Sequence, residues 1–150
     1  MGSHPEGTYP FNVLQGARTT LTAADYNRDG RVDLVVGDNY GKTRYYRNTS
    51  DRGLPTFALP VVIADPQNRL EPTTADWNSD GWPDVLVGVA DGKVQLVLNS
   101  GKASEPQFLP AENMNVPLVP FGSTVMAHDW NGDGDIDLLK PGVVRLSVLV

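Results

Sequence analysis

The sequence predicts an all-β protein made of three consecutive antiparallel units of about fifty residues, each of four short strands. Three observations predict it. An acidic segment recurs three times without a gap, as Ala24-Asp25-Tyr26-Asn27-Arg28-Asp29-Gly30, Ala75-Asp76-Trp77-Asn78-Ser79-Asp80-Gly81 and His128-Asp129-Trp130-Asn131-Gly132-Asp133-Gly134. Each copy leads into short runs rich in Val and Leu, bounded by Gly, Asp and Asn, which is how brief strands in a meander read. No long stretch repeats its apolar residues with the 3.6-residue period of a helix.

The elements follow one order in every unit. The leading Asp residues, Asp25, Asp76 and Asp129, lie 51 and then 53 residues apart. A first strand is expected just before each loop, at residues 20–24, 73–75 and 124–128. The second follows the loop, at Leu34-Val35-Val36, Val85-Leu86-Val87 and Leu138-Leu139. A glycine turn comes next, at Asn39-Tyr40-Gly41, Ala90-Asp91-Gly92 and Pro141-Gly142. It opens a third strand at residues 43–47, 94–98 and 144–149. In the first two units that strand ends in Asn48-Thr49 and Asn99-Ser100. The fourth strand is expected to centre on the Phe of Pro55-Thr56-Phe57 and Pro106-Gln107-Phe108, with Tyr9-Pro10-Phe11 as a looser counterpart. Residues 1–4 read as a tag remnant, and residues 5–150 divide at about 5–54, 55–105 and 106–150.

Composition narrows the function. Of 150 residues, 40% are hydrophobic and 20% charged, a globular balance, while 15 Gly and 12 Pro favour turns over long helices. With no cysteine there is neither a disulfide framework nor thiolate chemistry. The two histidines, one of them in the tag, serve zinc or acid–base catalysis poorly. A net charge of −6 argues against nucleic acid and anionic membranes. No run approaches the ~18 apolar residues of a membrane span. Residues 1–10 lack the hydrophobic run of a signal peptide, so a secreted protein would have lost its leader ahead of the tag.

The recurring loop reads D-x-N-x-D-G-x-x-D. Its candidate metal ligands are Asp25, Asn27, Asp29 and Asp33 in the first unit, Asp76, Asn78, Asp80 and Asp84 in the second, and Asp129, Asn131, Asp133 and Asp137 in the third. Alternate positions of a tight loop can aim their oxygens at one centre, and Gly30, Gly81 and Gly134 permit the sharp turn. The backbone carbonyls of Arg31, Trp82 and Asp135, at position seven, are expected to add an oxygen each. A set of hard oxygens alone suits Ca²⁺ better than a transition metal, and better than Mg²⁺, which keeps its waters and a stricter octahedron. Turn formation alone would explain one such loop, but not nine Asp in register out of 18 acidic residues. Three Ca²⁺ would offset the formal −6. The loop is not an EF-hand, whose position twelve is acidic; here it is Val36, Val87 and Lys140.

The stretch from Phe121-Gly122 through Asp129-Trp130-Asn131-Gly132-Asp133-Gly134-Asp135-Ile136-Asp137 to Leu138-Leu139 resembles the FG-GAP repeat of integrin α-subunits. All three units resemble its bacterial relative, the VCBS repeat. Only the third unit has the Phe-Gly pair, and the distal end of the motif is altered in each: Gly37-Asp38-Asn39, Gly88-Val89-Ala90, Lys140-Pro141-Gly142. The resemblance implies a β-propeller with one blade per repeat and a structural calcium between the first and second strands of each blade. It also implies a secreted or cell-surface setting, and a role in adhesion, glycan binding or as a domain of a polysaccharide-degrading enzyme. Closed propellers have four to eight blades. Three blades therefore imply a fragment of a larger ring, or a homodimer of six blades in which the strand at residues 10–13 of one chain pairs with residues 145–150 of the other.

A non-enzymatic, calcium-stabilised binding or scaffold module for carbohydrate or protein is the expected function. A lyase or hydrolase domain and an engineered fragment without its own activity are the alternatives. A catalytic face would need unrepeated groups that converge, and Arg44, Tyr45, Tyr46 and Arg47 instead alternate along one strand. The aromatic at loop position two (Tyr26, Trp77, Trp130) is read as packing between units. Trp82, present in one unit only, is the better candidate for an exposed sugar platform. Asn48-Thr49-Ser50 fits the N-glycosylation pattern.

Overall fold

The computed structural model describes residues 19–102, 105–118, 124–140 and, for backbone alone, 143–147. Within them lie eleven strands and no helix. The first sheet runs β1 (Thr20–Ala24), β2 (Asp33–Gly37), β3 (Thr43–Tyr46), β4 (Val61–Ala64). The second runs β5 (Leu70–Ala75), β6 (Asp84–Val89), β7 (Val94–Val97), β8 (Glu112–Asn113). The third holds β9 (Met126–His128), β10 (Asp137–Lys140) and β11 (Val143–Ser147), with no fourth strand among the described residues. Every pairing joins sequence neighbours antiparallel, the simple meander of a propeller blade. The fold is therefore the expected one: all-β, in three blade-like sheets.

The fourth strand is a correction. It does not centre on the Phe. Phe57 and Phe108 each make a single bridge, to Asn48 and Asn99, and the outer strand forms only later, at β4 and β8. The local chemistry explains this. Two backbone bonds flank each bridge, Thr49 N–H to the Thr56 carbonyl and Ala58 N–H to the Arg47 carbonyl in one blade. The other has Ser100 to Gln107 and Leu109 to Leu98. On either side stand Pro55 and Pro60, or Pro106 and Pro110, which have no N–H to extend the ladder. The blades accordingly cut the fifty-residue period after β4 rather than before the Phe.

Period-two alternation sorts each blade's apolar side chains onto two faces. Val35 and Tyr45, register partners on β2 and β3, face the second blade, where they meet Val85, Val87, Val89 and Val97 together with Leu70. Leu34, Val36 and Tyr46, one step out of phase, pack with Phe57 on the opposite face. In the second blade Leu86, Val94 and Leu96 face the third, against Val125, Ala127 and Leu138. A fully buried Val or Leu stabilises by about 1.5–3 kcal/mol, so these two inter-blade layers hold the fold. The innermost strands approach one another through side-chain polar contacts: Thr22 to Thr74 at 2.9 Å and Thr20 Oγ1 to the Leu70 carbonyl at 3.0 Å. Each acidic loop joins the first strand of its sheet to the second.

Candidate metal loops

The three loops share one internal bonding scheme except at one partner of position one in the third. The position-one carboxylate accepts from the N–H groups of positions five and six: Asp25 from Asp29 (3.1 Å) and Gly30 (2.8 Å), Asp76 from Asp80 (3.1 Å) and Gly81 (2.8 Å). In the third loop Asp129 accepts from Gly132 (2.7 Å) and Gly134 (3.0 Å). The position-three Asn accepts from the position-five N–H and donates its amide to the position-five carboxylate, at 2.8–2.9 Å in all three copies. That carboxylate then accepts the N–H of position seven: Asp29 from Arg31, Asp80 from Trp82, Asp133 from Asp135. Positions one, three and five thus line one turn.

Two backbone features make the turn so tight. Gly30, Gly81 and Gly134 have φ of 85°, 86° and 98°, conformations that cost a side chain dearly. Position four is left-handed as well: Arg28 at 55°, Ser79 at 57° and Gly132 at 78°. The sequence pattern flagged only the first of these requirements, although Gly132 was a signal for the second.

Position nine behaves differently. Asp33, Asp84 and Asp137 begin β2, β6 and β10 and are buried. Asp84 accepts the position-two N–H of Trp77 (2.8 Å), and Asp137 accepts that of Trp130 (2.9 Å). Asp33 and Asp84 also accept, at 2.7 Å each, the N–H of Asn48 and Asn99; Tyr45 adds its hydroxyl to Asp33 at 2.9 Å. Asp137 Oδ1 has no partner among the described residues. Burial foremost, helped by the neighbouring Asp29 carboxylate, raises the Asp33 pKa despite these bonds. Asp84 is raised in the same way, with Asp80 and Asp76 adding to burial. Asp29 itself is also pushed up by burial, but bonds from Asn27 and Arg31 outweigh that and lower it.

Among the described residues no three Asp, Glu or His side chains draw together into a ready-formed cage, because the carboxylates are turned onto loop N–H groups. The donor set nonetheless fits a hard cation. Each loop offers carboxylate and amide oxygens only, and the carboxyls keep further lone pairs. Position twelve supplies nothing: Val36 and Val87 are buried in strands, and Lys140 donates to the carbonyls of Gly92 and Pro117.

The structure also reveals partners the loop motif did not announce. Asn48 and Asn99, which close the third strands in the sequence reading, anchor position nine. Asn48 donates its amide to the Val32 carbonyl at 2.9 Å, so the glycosylation-like Asn48-Thr49-Ser50 has its acceptor nitrogen turned inward. Fully buried Asn99 crosses between blades, donating to the Tyr26 carbonyl at 2.9 Å and the Pro83 carbonyl at 3.2 Å. Tyr26 packs edge-on to Tyr45 and Phe108, and Trp77 packs into the second inter-blade layer, as expected of position two. Trp130 is 59% exposed. The Trp82 platform needs correcting: the Arg28 guanidinium lies 4.4 Å from its ring centroid, and Gly101 lies so close to the indole that a Cβ there would collide with it. Tyr45 and Tyr46 enter opposite faces of their blade, and Arg44 pairs with Asp38, so the polar residues of β3 do not converge.

Antiparallel blades stacked face to face, two of four strands and one of three among the described residues, each with the same acidic turn after its first strand, define a propeller-blade repeat protein. The profile of the FG-GAP-like repeat family matches residues 25–87 and again 76–139. The chain belongs to that family. It is 29% identical to the phosphatidylinositol-glycan-specific phospholipase D of Mus musculus, over 91% of this chain and 20% of that protein. It is likewise 29% identical to integrin alpha-7 of Homo sapiens, over 93% of this chain and 14% of that protein. The human phospholipase D is 29% identical over 88% of this chain and 19% of its own length. The chain thus spans about a fifth or less of the curated relatives it matches.

Proposed function

We propose that the chain is a calcium-stabilised, non-catalytic binding or scaffold module whose three loops each hold one Ca²⁺. The observation that carries this reading is the threefold repetition of one oxygen-lined turn. Asp25, Asn27, Asp29 and Asp33 would hold the first ion, Asp76, Asn78, Asp80 and Asp84 the second, and Asp129, Asn131, Asp133 and Asp137 the third. The carbonyls of Arg31, Trp82 and Asp135 are the remaining donors in this reading. A bound cation would supply positive charge where burial and neighbouring carboxylates now oppose ionisation of Asp33 and Asp84. Extracellular or cell-surface conditions, where modules with 10⁻⁴–10⁻³ M calcium affinity fill, are the proposed setting. No helix of the described residues is long and apolar enough to cross a membrane.

For a ligand we favour a protein or peptide over a sugar. The cleft of about 350 Å³ between the first two blades is lined by Tyr45, Arg47, Leu59, Val61, Glu105 and Phe108. Leu59 and Val61 on its rim are 61% and 58% exposed, the composition of a protein-contact patch.

The test is metal analysis of the purified chain together with its thermal melt. About three calcium per chain are expected. Saturation at a hundredfold excess over Kd stabilises by about 2.7 kcal/mol per site, so chelation should lower Tm by many degrees. Fewer than two calcium per chain, or a melt that ignores chelator, would reduce the loops to ordinary turns.

A further inference from the structure

We infer that the three loops form a graded series of calcium affinities, third above second above first, and that Arg31 sets the low end by acting as a tethered competitor for Asp29. The inference rests on the calcium reading above and adds to it an order and the residue responsible.

The position-five carboxylate keeps the same partners in all three loops up to one difference. At position five, Asp80 and Asp133 accept from a position-three amide and a position-seven N–H. Asp29 accepts those two bonds and a third, from the Arg31 guanidinium, whose Nη2 lies 2.6 Å from Asp29 Oδ2. Arg31 is not a free surface side chain swinging past. Its Nε donates to the Asn48 carbonyl at 3.1 Å, and the Asn48 N–H in turn holds Asp33. The guanidinium is therefore fixed between position five and the strand that anchors position nine, with its charge on an oxygen a calcium ion needs. Trp82 and Asp135 occupy the equivalent position in the other loops, and neither can play this part.

Charge counting runs the same way. Over positions one to nine, the formal charge is −1 in the first loop, where Arg28 and Arg31 offset three Asp, −3 in the second and −4 in the third, where Asp135 adds a carboxylate. Calcium loops tune their affinity through ligand charge and rigidity. The Arg28 guanidinium, stacked on Trp82, stands beside the second loop and offsets its charge too, so the second ranks below the third, while the direct Arg31 contact on Asp29 ranks the first lowest. Arginine cannot shed its proton to make way, so calcium must displace the contact or share Asp29 with it.

Isothermal titration of the whole chain with calcium chloride tests the order. The weakest step should vanish in Asp29→Ala and the tightest in Asp133→Ala. Arg31→Gln should tighten the weakest step about tenfold, equivalent to about 1.4 kcal/mol, and Arg31→Lys, which keeps the charge, should leave it weak. The gain should shrink in 1 M salt, where charges are screened within about 3 Å. If Arg31 only buttressed the loop, Arg31→Gln would weaken that step instead, and the inference would fall. Three equal constants, or loss of the tightest step in Asp29→Ala, would also overturn the grading while leaving the calcium reading intact. No calcium uptake at any loop would overturn both.

Discussion

Trp82 and Arg28 show how one residue's role depends on its neighbour's. Arg28 sits in the first loop with φ of 55° and reaches across to cover an indole belonging to the second. Gly101, itself at φ of 38°, also lies close against that ring. A guanidinium over Trp at an exposed site contributes about 0.5–1 kcal/mol. Arg28→Ala should therefore lower stability by about that much in a urea titration and shift the tryptophan emission. Alanine is the informative replacement because it keeps the left-handed penalty at position four, which glycine would relieve. An unchanged urea midpoint would show that the stacking contributes nothing in solution.

At the scale of the element, the joint between β7 and the following bridge matters more than its length suggests. Asn99 accepts from Gln107 N–H at 3.0 Å, donates to Pro83 and Tyr26, and lends its own N–H to Asp84. Asn48 holds the same place after β3, but its amide stays within its own blade, on Val32. A buried polar group left without a partner costs about 1–3 kcal/mol, and Asn99→Ala orphans groups in two blades. It should destabilise more than Asn48→Ala when both are unfolded in urea. An equal or smaller loss would mean the bond to Tyr26 is not part of what joins the blades.

For the whole molecule, the open question is what covers the outer face of the third blade. Met126 is 57% exposed, its register partner Leu139 is half-buried, and Trp130 is open where Tyr26 and Trp77 are packed by the next blade. Three blades fall short of the four to eight that close a ring. We propose that two copies of this chain make six, since two-fold closure is the commonest remedy for such surfaces. The strand exchange proposed for that ring uses residues 10–13, which lie outside the described residues. Of the receiving strand at 145–150, residues 145–147 are described, as part of β11. Light scattering in calcium should give about 32 kDa, twice the 16.3 kDa of one chain, and Trp130 should be shielded from a soluble quencher. A folded 16.3 kDa species with Trp130 fully quenchable would end the dimer proposal.

The strands that border the loops were legible in the sequence because they obey local rules. A period of two in Val85-Leu86-Val87 declares which residues face which neighbour. The register of Asp, Asn and Gly declares a tight turn. Those signals need only a few residues of context, so β1, β2, β3, β6 and β7 fall where the pattern places them, within three residues at either end. What the tertiary structure decided lies beyond that range. Whether Pro-x-Phe becomes a strand depends on prolines that deny the neighbouring chain its donors. Whether Trp82 is a platform depends on an arginine more than fifty positions earlier, and position nine is held by an asparagine fifteen residues later. The physical reason is the same throughout. Propensity and alternation are properties of a segment, whereas burial and the pairing of polar groups are settled only when distant segments compete for one donor, one acceptor or one face.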